Sequence, residues 1–382
     1  MTKKILIFHY ERVSAYPPVL SLIENLLDMG HEVELISFDG KRLNSKIRKN
    51  KNFTYIDIEF NRNLNLINKF KRRIYLYKQL RKIVNKEMEK NDILWTTTDF
   101  AVRILKESVF KYKHVMQLME LERKIPLFGD KSSLFTFPID KYARKAWKVV
   151  VPEINRAYIQ QAWWNLSTPP IVLPNKPYYL NSDGSIKSDK KIINEYFTDK
   201  RKIILYLGFI GADRNLTAFA EAMNHMTNKK DFAFYIVGRV DDRYKNDFEV
   251  FLKKYNFVKY LGSYPAPTHL NFLKRAYIGL LPYYVQKPLS YLSPLNSLYC
   301  APNKIWEYAG YNVPMVGTNV LGLKYPFEKY NIGYCCPDLT VESICETFAK
   351  VDKEHETLSQ NCSKFYNSIS LTDIVKKIID EE

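Results

Sequence analysis

The sequence predicts an α/β protein built of two doubly wound parallel-sheet halves. Three observations predict it. The chain has 382 residues, enough for two domains with a core each. The first 38 residues read strand, loop, helix, strand, which is the βαβ unit of a parallel sheet. The same pattern then starts afresh at residue 202, after a polar stretch.

In the first half, "KILIFHY" is a buried strand and "PPVLSLIENLLDMG" an amphipathic helix with Gly30 as its C-terminal cap. "HEVELISF" is the second strand. Further strands are expected at "FTYIDI" (53–58), "DILWTTT" (92–98), "HVMQL" (114–118) and "KVVVP" (148–152), and "PPIVLPNKP" (169–177) closes the half. Residues 178–200 are rich in Ser, Asp, Gly and Lys and read as a linker or excursion. The second half opens with "KIILYLGFIG" (202–211). Strands follow at "FAFYIVG", "FVKYLG", "YIGLLPYY", "VPMVG" and "IGYCC", with helices at 216–226, 243–254, 267–275 and 340–350 and one opened by Pro302 as its first residue. The last stretch, "LTDIVKKIIDEE", reads as an amphipathic helix capped by Thr372. Ligands of such sheets bind beyond the carboxyl ends of the strands, and the cleft between two such domains is the natural site.

Composition is that of a soluble globular protein, 46 % hydrophobic and 26 % charged, and no apolar run is long enough for a transmembrane helix. "MTKKILIFHYER" has a four-residue apolar core, which fits a first strand and not a signal peptide. Five cysteines without metal spacing read as reduced thiols of a cytoplasmic protein. The net charge of +17 is uneven. Residues 1–178 hold 32 Lys/Arg against 18 Asp/Glu, a balance of +14, which leaves +3 for the rest. Within 41–82 there are 14 basic residues and two acidic ones, Asp57 and Glu59. There Leu66, Phe70, Ile74, Tyr77, Leu80 and Val84 recur at helical spacing between lysines and arginines. A basic helix bearing aromatic residues suits an anionic membrane surface. Nucleic acid is the competing partner, and no nucleic-acid motif accompanies the patch.

No H-E-x-x-H, G-x-S-x-G, Walker lysine or G-x-G-x-x-G motif is present, which argues against a simple dinucleotide oxidoreductase. Two loops carry phosphate chemistry. In "GFIGADRNL" (208–216), Gly208 and Gly211 let the backbone approach a ligand, Asp213 or Asn215 caps the next helix, and Arg214 offers a planar cation. In "CAPNKIWEYAG" (300–310), Lys304 and the helix N-terminus suit a pyrophosphate and Glu307 suits a ribose diol. The bland alternative is a surface helix with a Lys304–Glu307 ion pair.

The order "ILYLGFIGADRNL", "FYIVG", "VKYLGSYP", "HLNFLKRAYIGLLPY", "APNKIWEYAGYNVPMV" resembles the donor half of retaining GT-B glycosyltransferases. It is similar to the large group-1, sucrose-synthase-like family that makes bacterial surface polysaccharides. The resemblance is strong over 202–318 and looser before it. It implies the GT-B fold, two Rossmann-like doubly wound parallel-sheet domains facing a central cleft. The implied division is an acceptor domain over 1–178 with a C-terminal helix (362–382) crossing back to it, a linker at 179–200, and a donor domain over 201–361. The donor set it implies is Gly208, Gly211, Arg214, Gly238, Arg239, Tyr299, Asn303, Lys304 and Glu307. Two family positions depart: Phe209 stands where the loop has its earlier cation, and Tyr299 where an acid touches the donor sugar. Asn296, Ser297 or the amides near Cys300 and Ala301 are candidates for that contact.

In the first half "VMQLMELERKIP" matches a segment that carries a His–acid pair. Met119 takes the histidine's place and Glu120 follows. Arg214, Lys304 and Glu120 are the implied catalytic residues, and His9, Arg12 and Tyr16 face the acceptor. No cofactor or metal is expected, the co-substrate being a UDP- or GDP-linked sugar. The acceptor is a glycan or lipid-linked saccharide, the place the inner face of the membrane, and nucleic acid is not a partner. A catalytically silent GT-B subunit and a sugar-nucleotide epimerase of the same fold stay open beside the transferase.

Overall fold

The computed structural model describes every residue except 1, 59–65, 124, 127–135, 181–190, 213, 286–293 and 381–382; side chains at 66–72 and 125–126 are likewise outside it. The chain divides into two compact units. The first is Met1–Tyr178 with Pro288–Asn296 and Ser370–Glu382; the second is Tyr179–Lys287 with Ser297–Ile369.

In the first unit seven strands form one parallel sheet: β1 (Lys4–Arg12), β2 (Glu32–Phe38), β3 (Phe53–Asp57), β4 (Ile93–Thr96), β5 (Lys113–Gln117), β8 (Lys148–Val151) and β9 (Ile171–Val172). A separate antiparallel pair, β6 (Ile125–Pro126) and β7 (Thr136–Phe137), lies between β5 and β8 in the chain. The sheet order is β3-β2-β1-β4-β5-β8-β9. Its apolar runs bury both faces, as helix-covered parallel sheets require. Ile5 and Ile7 enter one core layer, Leu6 and Phe8 the other. The helix Pro17–Asp28 ends as the sequence predicts. Gly30, at φ +82°, donates to Leu27 O at 3.0 Å while His31 N donates to Leu26 O at 3.0 Å, the paired bonds of a Schellman cap.

The second unit repeats the plan. Strands β10 (Lys202–Leu207), β11 (Phe232–Val237), β12 (Val258–Gly262), β13 (Ala276–Leu281), β14 (Met315–Thr318) and β15 (Gly333–Cys336) pair in parallel in the order β12-β11-β10-β13-β14-β15. In each sheet the first strand is central and the fourth crosses to its other side. The carboxyl ends of β1/β4 and of β10/β13 are therefore switch points, where doubly wound sheets hold ligands.

Three expectations need correction. The linker over 179–200 contains a helix, Lys191–Thr198, whose Ile193 and Tyr196 are buried in the second unit's core; two apolar side chains one turn apart outweigh the polar composition around them. The crossing-back segment is shorter than 362–382. Cys362 and Phe365 lie on the helix His355–Asn367 and are buried in the second core, and Leu371–Asp380 is what packs on the first unit, through Leu371, Val375, Ile378 and Ile379. That last helix is capped by Ser370, whose Oγ accepts from Asp373 N at 3.2 Å, while Thr372 donates to Asn25 Oδ1 at 3.1 Å. The segment expected as a helix at 267–275 is a 3₁₀ stretch, Thr268–Arg275. Among the described residues no helix is long and apolar enough to cross a membrane.

Candidate functional site

The carboxyl edge of the second sheet is built by glycine. Gly208 leaves β10 at φ +143° and donates to Val237 O at 2.8 Å; Gly238 leaves β11 at φ +152°. A Cβ on Gly238 would stand 1.6 Å from Gly208 O, and one on Gly208 would stand 2.1 Å from Lys304 Cε and 2.4 Å from its Nζ. The two glycines thus let neighbouring backbones close up and leave a seat for a lysine from another element.

That lysine comes from the helix Asn303–Gly310. Pro302 is its N-cap in extended backbone (ψ 137°), one position earlier than expected, so Asn303 is the first helical residue. Tyr308, fully buried, fixes the helix to the sheet: its hydroxyl accepts from Leu207 N at 3.0 Å and lies 3.0 Å from Leu205 O. Lys304 Nζ then falls 3.4 Å from Tyr283 Oη and 5.7 Å from the Tyr206 ring centroid. Arg214 reaches the same tyrosine, with its guanidinium carbon 4.1 Å from the Tyr283 ring centroid. Two cations therefore converge on one aromatic side chain above a glycine turn.

The remaining donor candidates lie along this edge. Gly211 O accepts from Arg214 N at 3.0 Å and Asn215 caps the next helix, accepting from Ala218 N at 3.2 Å; Asp213 lies outside the described residues. Arg239 O accepts from Ile210 N at 2.9 Å, and its guanidinium lies 5.9 Å from the ring of the 37 %-exposed Phe209. Tyr299 is half-buried, and its carbonyl carbon and the Cys300 backbone press against Gly322. Asn296 is engaged elsewhere: its Oδ1 accepts from Leu121 N at 2.8 Å. The surface ion pair does not form. Lys304 turns to Gly208 and Tyr283, and the buried Glu307 has His269, whose Nε2 is 3.3 Å from its Oε1.

The carboxyl edge of the first sheet has different chemistry. His9 lies within β1 as the last residue of its buried run and is fully buried; its Nδ1 is 2.7 Å from Thr97 Oγ1 and its ring meets Tyr16 edge-on at 4.5 Å. Burial holds its pKa down at about 3, so the ring is neutral. Tyr16 donates to Glu11, whose own pKa is pushed up by burial and by the charge of Glu120, against the pull of the Tyr16 bond. Asp99 is raised to about 6 by burial, opposed by Arg103 at 3.2 Å. Arg12 and Glu120 are exposed. The backbone before Glu120 is clamped by the buried Arg156, which donates to Met119 O at 2.8 Å and to Asn296 O at 3.1 Å. Among the described residues no group of three or more His, Cys, Asp or Glu is placed to hold a metal ion.

No protein-family model and no curated protein matches the chain. Solved structures do. HepE of Anabaena, crystallised with UDP, superposes with a TM-score of 0.67 over 98 % of this chain and 98 % of its own, at 11 % identity. The α,α-trehalose 6-phosphate synthase of Burkholderia multivorans gives 0.69 over 99 % and 98 %, at 11 % identity. WaaG, a glycosyltransferase involved in lipopolysaccharide biosynthesis, gives 0.59 over 99 % and 100 %, at 13 % identity. The chain has the GT-B fold.

Sequence reasoning on this GT-B chain missed Tyr283, Tyr206 and His269 in the second unit and Glu11, Asp99 and Arg156 in the first. Tyr283 stands two residues beyond β13 and Glu11 two beyond His9, so strand-end position was the one available signal. His269 carries none, because its partner is 38 residues away.

Proposed function

We propose that the chain is a retaining, metal-independent hexosyltransferase. It moves a sugar from a UDP- or GDP-linked donor to a glycan acceptor in the synthesis of a bacterial surface polysaccharide. The observation that carries the reading is the convergence of Arg214 and Lys304 on Tyr283 beside Gly208. A diphosphate carries the charge that both cations attract, and charge-assisted bonds to phosphate oxygens are among the stronger ones a protein makes. The HepE complex with UDP-glucose supports a nucleotide sugar as the ligand of such a fold.

In this reading the bond from the anomeric carbon to the diphosphate oxygen breaks, and negative charge grows on the leaving phosphate. Arg214, Lys304 and the amides opening the helix at Asn303 meet that charge, which is larger in the transition state than in the ground state. The acceptor hydroxyl attacks the same face, and its proton passes to the leaving phosphate oxygen. Gly211, Gly238, Arg239 and Tyr299 complete the donor site. His9, Arg12 and Tyr16 contact the acceptor, and Glu120 orients its hydroxyl.

The acceptor we assign is a lipid-linked saccharide at the cytoplasmic face of the membrane, reached by the basic segment 41–82. Exposed Arg73, Lys78 and Lys82 stand with the 43 %-exposed Ile74 and 63 %-exposed Tyr75 on the helix Leu66–Glu87, a mixture of charge and apolar surface that suits anionic lipid. Of the apolar set that recurs at helical spacing here, Leu80 and Val84 are buried, Tyr77 is half-buried and Ile74 is exposed; the side chains of Leu66 and Phe70 lie outside the described residues.

Calorimetric titration with UDP, GDP and their sugar conjugates tests the site. One nucleotide should bind, about 100-fold more weakly to Lys304→Ala and Glu307→Ala. Binding of no nucleotide by the folded protein would leave it a catalytically silent GT-B subunit. Interconversion of a sugar nucleotide without acceptor would make it an epimerase.

A further inference from the structure

We infer that His269 is a positioning residue of the nucleotide site: it holds the Glu307 carboxylate to read the 2′- and 3′-hydroxyls of a ribose. This rests on reading the site as one for a ribonucleoside diphosphate.

Glu307 is 4 % exposed, and a buried carboxylate needs partners. The described residues give its carboxylate one hydrogen bond, from His269 Nε2 at 3.3 Å to Oε1. A structural ion pair at this depth is expected to use the remaining lone pairs as well; here Oε2 is left to a ligand. The imidazole is in the same condition. With Nε2 turned to Glu307, His269 Nδ1 is buried without a hydrogen-bond partner among the described residues. A half-satisfied pair at the carboxyl edge of a sheet is the arrangement a ligand completes.

Both members are held rigidly. His269 sits between Pro267 and Leu270 in the stretch after β12; its N donates to Pro265 O at 3.2 Å, Leu270 N donates to Pro267 O at 2.9 Å, and Leu270, Phe272 and Leu273 are buried behind it. Glu307 is flanked on its helix by Ile305, Tyr308 and Ala309, all buried. Neither backbone can follow the other, so the side-chain bond sets which way the carboxylate faces. Removing it frees the carboxylate to rotate and adds an ordering cost to ligand binding.

The test is titration of wild type, His269→Phe, His269→Gln, Glu307→Ala and the double variant His269→Phe/Glu307→Ala with UDP and 2′-deoxy-UDP, or the guanosine pair if wild type prefers it. Phenylalanine keeps the ring and removes the donor; glutamine returns an amide N–H at similar reach. We expect His269→Phe to weaken UDP about tenfold and leave 2′-deoxy-UDP within about threefold, with His269→Gln close to wild type. The double variant should be no weaker than Glu307→Ala. If His269→Phe binds UDP like wild type, or loses both nucleotides equally while still folded, the positioning role is wrong. If folded wild type binds neither nucleotide, the reading of the site beneath it is wrong.

Discussion

The two sheets share one winding and carry opposite chemistry at their carboxyl edges. Beyond β10 and β13 the second unit places Arg214 and Lys304 around Tyr283, over glycines whose backbones approach closely. At the ends of β1, β4 and β5 the first unit places Glu11, Asp99 and Glu120 around Tyr16, which packs on a neutral, buried His9. Yet residues 1–178, which make up most of the first unit, are the basic stretch of the chain, +14 against +3 for the rest. Net charge therefore says nothing of the sign at the edge where ligands bind. Topology decides where an edge forms; a few side chains decide what it attracts. A cationic edge suits a diphosphate. An edge of carboxylates and a neutral imidazole suits hydroxyl donors such as a saccharide acceptor.

The largest way to break this comparison is to fill the glycine seat. Gly238→Ala sets a Cβ 1.6 Å from Gly208 O, a backbone atom that cannot swing aside, at a φ of +152°. We expect a loss of about 4 kcal/mol in urea unfolding and no nucleotide binding by whatever remains folded. A variant as stable as wild type would show that the close approach is incidental.

A smaller effect separates the edges by pH. His9 is neutral in the fold, at about 3, and titrates at 6.5 when unfolded. A depressed base contributes stability that is full above pH 6.5 and is lost as the pH falls toward 3, because the unfolded chain then binds the extra proton. At about 1.4 kcal/mol per pH unit, wild type loses ~3 kcal/mol between pH 6.5 and 4 that His9→Asn keeps. The buried His114 and the oppositely shifted Asp99 titrate alike in both proteins and cancel in the difference. Parallel stability–pH curves for the two proteins would mean that His9 is not held neutral.

The contrast also explains what could be read from the chain alone. Strands buried on both faces are apolar runs, so "KIILYL" and "FAFYIV" announce themselves, and a restart of the pattern announces a second unit. Gly208, Arg214, Lys304 and Glu307 sit at strand ends and helix starts, places a reading of elements already marks. Tyr283 and His269 matter because of what reaches them from elsewhere, Arg214 from 69 residues earlier and Glu307 from 38 residues later. No local period encodes such pairings. The helix Lys191–Thr198 was hidden for a related reason: its two buried side chains are fixed by a core built almost wholly from other segments. Ser370 was overlooked because Thr372, two residues on, is an equally good capping residue; its hydroxyl was already spoken for by Asn25.

The smallest effect concerns the basic surface of the first unit. If the helix Leu66–Glu87 meets anionic lipid, each exposed lysine contributes about 1 kcal/mol at the surface, falling off within a Debye length. Lys78→Ser should then weaken sedimentation with phosphatidylserine vesicles about fivefold at low salt, and the difference should vanish near 1 M salt. Tyr75→Ser, which removes a 63 %-exposed ring and no charge, should weaken binding at both salt concentrations. Neutral vesicles separate the two contributions, since they retain the tyrosine's share alone. If neither substitution changes vesicle binding, the +14 is a solvated surface and the acceptor reaches the carboxylate edge from solution. The chemistry proposed at the second unit's cations would be the same, because the diphosphate site owes nothing to that charge.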